Sequence, residues 1–154
     1  MKRAITGAMA MLAVLAMAGP QAAQARDDGG AEKLRRLDIM LMVTGLRCRA
    51  AGADFTVDYG RFTGRHLALL NAANAELHAR YAAAYGAAGG QAMLDRMSTR
   101  MANGYGEGHT WLTCAQLALV ARNLARVDGR ETLEEAADQL LASRPPARLA
   151  LAGR

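Results

Sequence analysis

Apolar residues recur every three or four positions over long stretches of this chain, which is the spacing of one face of an α-helix. The first such stretch runs from Glu32 to about Ala51 and stops before Gly52. Further apolar residues widen this face, so we expect the helix to lie centrally in the fold, covered on more than one side. The face carries Leu34, Leu37, Leu41 and Cys48.

The longest periodic stretch predicts a second helix from Phe55 to about Tyr85, with Asp54 placed to cap its start. The glycine-rich segment 86–90, GAAGG, predicts a loop after it. A shorter third helix is expected over about 93–103, where methionines recur at helical spacing. Such methionines can bind copper, but they serve more often as adaptable core residues.

Two more helices are predicted in the last third of the chain. The fourth starts after Thr110 and stops at 128–129, and the fifth is opened by the capping-box pattern of Thr132 and Glu135 and runs through Ala142. No stretch alternates as a strand would, so the pattern indicates an all-α fold, a compact bundle of about five helices. The inward face of the fourth helix carries Cys114, Leu117, Ala121 and Leu124.

The first 25 residues have the three parts of an export signal. A basic start is followed by an uncharged apolar run from Ala4 to Ala18 and by the cleavage pattern Ala23-Gln24-Ala25. We therefore expect a periplasmic or secreted protein with a signal peptide over 1–25, a flexible leader over 26–31, a helical domain over 32–143 and a frayed tail over 144–154. No second apolar run is long enough to span a membrane once the signal is removed.

Cys48 and Cys114 are the two cysteines of the chain. In an exported protein such a pair predicts one disulfide, and this one would make the first and fourth helices neighbours. A catalytic or metal-binding thiol would instead require a second cysteine or a histidine at ligand spacing, and His109 is poorly placed for that. The sequence therefore predicts a structural disulfide, no metal site and no cofactor.

Charge excludes one class of partner. Residues 26–154 hold 17 basic and 14 acidic residues, a net charge of +3, and Lys33 is the sole lysine among them. The arginines are spread along the chain and interleaved with acids, whereas a nucleic-acid surface gathers basic residues on one face between aromatic ones. We therefore expect no nucleic-acid partner.

The run GYGEGHTWLTC, residues 104–114, is the strongest local candidate for a site. Its glycines can end one helix and let the chain turn into the next. A helix start with free backbone N–H groups can also hold a small anion, so Tyr105, Glu107 and His109 are ligand-binding candidates. Glu107 and His109 could further act as an acid and a base, although no nucleophile accompanies them.

Gly104-Tyr105-Gly106-Glu107 resembles the opening of the cofactor-binding glycine motif of S-adenosylhomocysteine hydrolases. The chain is also similar to small exported bacterial helical proteins of unassigned function, some of which carry that family's label. The resemblance implies a large NAD enzyme with two α/β domains, for which 129 residues after signal cleavage leave no room. No strand is predicted before Gly104, and the third glycine of a dinucleotide loop falls on His109, so no catalytic residue is carried over.

His66 is a fourth ligand-binding candidate, because it lies within the apolar stripe of the long helix, where a histidine is usually a hydrogen-bonded core residue. Asn71, Asn74 and His78 share the polar face of that helix and indicate a solvated surface. The leading hypothesis is an exported non-enzymatic protein that binds a small ligand, such as an anion, or another envelope protein. One alternative is a periplasmic stress chaperone triggered at low pH by His66, and the other is a small enzyme centred on residues 105–109. Nothing in the pattern predicts an oligomeric state.

Overall fold

A computed structural model of the protein describes residues 29–143. These residues form four helices, and no strand occurs among them, so the all-α prediction is confirmed. The predicted signal peptide, the first part of the predicted leader and the predicted tail lie outside the described residues. The helices are α1 (Gly30–Ala50), α2 (Thr56–Gly104), α3 (Cys114–Leu124) and α4 (Arg130–Leu140).

The predicted count of five helices is corrected to four, because the second and third predicted helices join in α2. The loop expected over 86–90 shrinks to one residue, Gly86, with φ 73° and ψ 167°. Only glycine adopts this conformation without strain. The bend there is sharp: the backbone at Gly90 lies so close to Ala82 that a Cβ would meet the Ala82 nitrogen at 2.6 Å. The Tyr81 hydroxyl likewise reaches the Met97 sulfur at 3.1 Å.

Helix α1 lies at the centre, as its wide apolar face predicts, and it contacts α2, α3 and α4. The predicted face residues are all buried, with Leu34, Leu37 and Leu41 at 0% exposure. The helix begins at Gly30, inside the predicted leader, because that glycine packs directly against Glu134 of α4. A Cβ at this position would approach the Glu134 carboxylate to 2.3 Å.

The predicted helix starts near Thr110 and Thr132 are wrong. Helix α3 begins after Thr113, which forms a reciprocal capping box with Gln116. Helix α4 begins after Gly129, whose φ of 89° lets the chain turn earlier than the capping pattern indicates. The Thr132 side chain makes no cap there, because the helix already starts at Arg130.

The predicted disulfide is confirmed. Cys48 and Cys114 are joined with a Cα–Cα distance of 5.7 Å and a sequence separation of 66. The bond ties the last turn of α1 to the first residue of α3, so the two helices are neighbours as expected. Within residues 29–143 no helix combines the length and apolar character that a membrane crossing requires.

Candidate functional site

The glycine run connects α2 to α3 beside the disulfide, and we call residues 104–113 the glycine junction. Gly108 takes a φ of 106°, and its N–H donates to the carbonyl of Tyr105. The Arg47 guanidinium of α1 donates to the carbonyl of Gly106 at 3.1 Å. The glycines therefore allow a tight connection, and a helix rather than a strand delivers the chain to it.

His109 is fully engaged by the backbone around it. Its Nε2 lies 2.8 Å from the carbonyl oxygen of Leu140, so this nitrogen must be the donor. Its Nδ1 accepts from the N–H groups of Trp111 at 3.3 Å and Leu112 at 3.1 Å. Burial lowers the pKa of the ring, which favours this neutral tautomer. Neither ring nitrogen is left for a ligand or a proton transfer.

Trp111 completes the attachment of the junction to α4. Its indole N–H donates to the carbonyl of Ala142 at 3.0 Å, and its ring meets His109 edge-on at 5.0 Å. The side chains of this segment thus satisfy backbone carbonyls at the end of α4, which a helix leaves without internal partners.

Glu107 and Tyr105 point to different surroundings. The Glu107 side chain is 100% exposed and lies 3.6 Å from Arg47. Tyr105 is half-buried, burial raises its pKa, and it lines a separate concavity of about 240 Å³ together with Arg36 and Arg100. Tyr105 stacks on His109 with ring centroids 6.4 Å apart, whereas Glu107 extends into solvent and makes no hydrogen bond with His109, so the three predicted ligand candidates of the junction do not converge on one concavity.

His66, the remaining candidate, is buried at a kink of α2. Its backbone is non-helical, with φ −108° and ψ 15°, and its ring packs on Phe62. Its Nε2 donates to the carbonyl of Leu124, the last residue of α3, at 2.8 Å. His66 therefore fixes where the end of α3 meets α2.

Next to this contact lies a concavity that the sequence interpretation missed. It is open, has a volume of about 600 Å³ and is lined by four arginines, two from α2, one from the last turn of α3 and one from the turn that follows it. Gly64 forms part of its wall, and a Cβ there would meet nothing within 4 Å. We call this site the arginine cradle, and its arginines are Arg61, Arg65, Arg122 and Arg126.

Asp58 orients two of these arginines by accepting their hydrogen bonds. This carboxylate is buried, and it accepts from Arg122 through both oxygens, at 2.9 and 3.4 Å, and from Arg61 at 2.9 Å. The hydrogen bonds from Arg122, and then those from Arg61, hold the pKa of Asp58 below its usual value. The carboxylate therefore stays ionised and fixes the two guanidinium groups in place.

The cradle keeps unused hydrogen-bond donors. A guanidinium has five N–H groups. Asp58 accepts one hydrogen bond from Arg61 and two from Arg122, so both arginines keep free N–H groups. Arg65 pairs with Asp128, and Arg126 has no side-chain partner among the described residues. Against these four positive charges stand the carboxylates of Asp58 and Asp128, so the group carries a net charge of +2.

A sequence signal for the cradle does exist. Arg61 and Arg65 are four residues apart on α2, whereas Arg122 lies in the last turn of α3 and Arg126 in the turn that follows it. Residues at a spacing of four on a helix share a face, so Arg61 and Arg65 project from the same side of α2. The sequence pattern does not show that Arg122 and Arg126 lie next to Arg61 and Arg65. That arrangement depends on the contact between His66 and Leu124.

Among residues 29–143, no three His, Cys, Asp or Glu side chains are grouped closely enough to hold a metal ion. Comparisons with family models, curated proteins and solved structures give no match to this chain. The function is therefore argued from the residues of the cradle themselves.

Proposed function

We propose that this chain is an exported, non-enzymatic protein that binds a small, multiply charged anion in the arginine cradle. One observation carries the proposal: four arginines, three from α2 and α3 and one from the turn after α3, line a single open concavity, and a buried carboxylate orients two of them. The ligand class is an anion with phosphate, sulfate or carboxylate oxygens.

The chemistry of arginine supports this ligand class. The guanidinium group is planar, always charged and presents parallel N–H donors that match two oxygens of such an anion. Because Arg61, Arg65 and Arg122 have exposed side chains, the bound anion would keep contact with water. Binding is therefore expected to weaken as salt concentration rises.

Export is supported indirectly. A disulfide and the absence of a membrane-spanning helix among the described residues are compatible with a secreted or periplasmic protein. A binding role is favoured over catalysis because the acid and base candidates Glu107 and His109 lie in different environments, one exposed and the other bonded to backbone.

The proposal is tested by calorimetric titration of residues 26–154 with inorganic pyrophosphate at an ionic strength of about 0.15 M, where the Debye length is about 8 Å. We expect saturable binding to the unmodified protein. The double variant R61Q/R65Q removes two charges from the cradle and should weaken binding about tenfold or more, because hydrogen bonds to charged groups contribute about 1.5–3 kcal/mol each.

The matched control is R96Q/R100Q, which removes two arginines at the same spacing from the same helix, outside the cradle. It should leave the affinity within about twofold, since screened charges at a distance contribute little. Equal weakening in both variants would indicate general charge attraction and would refute the site, as would the absence of saturable binding.

An acid-responsive chaperone is the second candidate, and the geometry of His109 favours it. Protonation of Nδ1 would break two backbone hydrogen bonds at once and release the junction from α4. This shifts the expected trigger from His66 to His109. Low pH would then expose the apolar residues between α4 and the rest of the bundle.

The chaperone hypothesis predicts that the protein at pH 5 binds an apolar dye and suppresses the aggregation of a client protein. H109Q, which cannot be protonated there, should lose the pH dependence of both signals, whereas H78Q should keep it. A chain that stays compact and inactive at pH 5 would remove this candidate.

A further inference from the structure

A third concavity lies between α1 and α2, and it is lined by none of the residues that line the arginine cradle. It has a volume of about 320 Å³, and we call it the α1–α2 groove. Besides Thr63, five of its lining residues carry hydrogen-bonding side chains, and Leu67, which is 57% exposed, adds an apolar surface. The five are Arg35, Asp38, Tyr59, Asn71 and Asn74.

Asp38 is the central acceptor of the groove. Its Oδ1 accepts from the Tyr59 hydroxyl at 2.9 Å. No side-chain oxygen or nitrogen in the described part of the chain is both buried and without a partner. The Oδ2 of Asp38 has no protein donor there, so it lies at the accessible surface of the groove. Burial raises the pKa of this carboxyl, and the hydrogen bond from Tyr59 partly opposes that effect.

The groove is fixed in shape before any ligand arrives. Arg35 donates to the Ser98 hydroxyl from Nε at 3.4 Å and from Nη2 at 3.2 Å, which ties α1 to the returning part of α2. Tyr59 is held by Asp38, and burial raises its pKa, so it remains a protonated donor. A preformed site loses little conformational freedom on binding.

The balance of charge distinguishes this groove from the cradle. Arg35 and Asp38 cancel, and the amides of Asn71 and Asn74 each offer donors and an acceptor. A neutral ligand with many hydroxyl or amide groups would satisfy donors and acceptors of both kinds. Its C–H faces would pack on Leu67 and on the ring of Tyr59. An anion would gain nothing here, because the positive charge of Arg35 is already balanced.

We infer that the α1–α2 groove binds a neutral saccharide, with Asp38, Asn71 and Asn74 as the hydrogen-bonding residues. This inference is independent of the anion site, because none of the groove residues lines the cradle.

The test is a titration of isotope-labelled protein with neutral trisaccharides: maltotriose, cellotriose and tri-N-acetylchitotriose. The readout is the NMR signals of the backbone amides of residues 66–75, which every variant retains, together with the side-chain amides of Asn71 and Asn74 where these are present. At least one sugar should shift the signals of Asn71 and Asn74 with a saturating curve. N71A/N74A should weaken that binding about tenfold, whereas N123A/N103A, two exposed asparagines elsewhere, should leave it unchanged.

D38N provides a second variant that is expected to fold. An amide oxygen can still accept from Tyr59, and the substitution removes the cost of burying a charge. It replaces a charged acceptor at the groove surface, so it should weaken binding about tenfold. Pyrophosphate should not compete with the sugar, which separates this site from the cradle.

Three results would overturn the inference. They are no saturable shift with any neutral sugar, equal weakening in the control N123A/N103A, and tighter binding of trigalacturonate than of every neutral trisaccharide.

Discussion

The glycine junction and the arginine cradle each contain a histidine that donates a hydrogen bond to the end of a helix. They differ in how many hydrogen-bonding groups remain without a protein partner. In each, a histidine Nε2 donates at 2.8 Å to the carbonyl of the last residue of an 11-residue helix: His109 to Leu140, and His66 to Leu124. At the junction the remaining ring nitrogen and the neighbouring indole also bond to backbone. At the cradle the histidine fixes the helix end, and the arginines around it keep unused donors.

This difference teaches that spare hydrogen-bonding capacity, rather than residue type, marks a candidate site. The junction contains the residues that chemistry usually requires, yet His109 has no free nitrogen and Glu107 lies fully in solvent. The cradle contains arginines alone among its cations, and Asp58 satisfies them only in part.

The largest effect is expected from opening the disulfide beside the junction. Replacing Cys48 and Cys114 by alanine frees a loop of 66 residues in the unfolded chain and should lower the free energy of unfolding by about 4 kcal/mol on the chain-entropy model. Urea unfolding followed by circular dichroism measures this. If the variant were as stable as the oxidised protein, the disulfide would contribute little to the junction.

A smaller effect is expected from H109Q. Glutamine can still donate towards Leu140, but it no longer accepts the two backbone N–H groups, so we expect a loss of about 1–3 kcal/mol at pH 7.5. Urea unfolding at that pH gives the value. H78Q, which removes a histidine from the polar face of α2, is the control and should be nearly neutral.

The pH dependence of unfolding, compared between H109Q and the unmodified protein, tests the role of His109 further. Because the pKa of His109 is lower in the folded than in the unfolded chain, the unfolded chain binds the proton more readily. Stability from this group is therefore lost as pH falls below about 6.5 towards the folded pKa. H109Q should lose less stability than the unmodified protein between pH 7.5 and 5, and parallel losses would contradict the assigned tautomer.

At the cradle, D58N should have a smaller effect that appears at more acidic pH. The pKa of Asp58 is held down by Arg122 and Arg61, so its contribution is present above about pH 4 and is lost as pH falls further. The variant should be less stable at pH 7 and should show a flatter loss below pH 4. D138N, which removes an exposed partner of Lys33, is the comparison and should retain the full acid-induced loss.

The smallest effect is expected from E107Q. Its carboxylate is fully exposed and lies 3.6 Å from Arg47, and such surface pairs contribute little. The unfolding midpoint and the affinity for pyrophosphate should both stay unchanged within error. A clear change in either would return the junction to consideration as a ligand site.

Much of the fold is predictable from the sequence because helix periodicity reports which residues are buried. Leu34, Leu37 and Leu41 are all at 0% exposure, and the cysteine pairing follows from count alone. The helix starts were harder to predict, because α3 is capped by Thr113 rather than Thr110, and α4 begins after Gly129 rather than at Thr132. Local signals cannot decide between such patterns when tertiary contacts place the turn.

The candidate site was not predictable to the same extent. Arg61 and Arg65 mark one helix face, but which helix covers that face is set by the kink at His66. The sharp turn at Gly86 could also be predicted only in part. The GAAGG segment predicts a break in the helix, but the packing of Gly90 on Ala82 is needed to show that a single residue forms the turn.

The contrast between cradle and junction is tested most directly by following the guanidinium Nε–H signals of all arginines by NMR during a pyrophosphate titration. We predict that the signals of Arg61, Arg65, Arg122 and Arg126 shift along one common saturation curve, while Arg47 at the junction does not respond. Shifts spread evenly over all arginines, or centred on Arg47, would contradict the account.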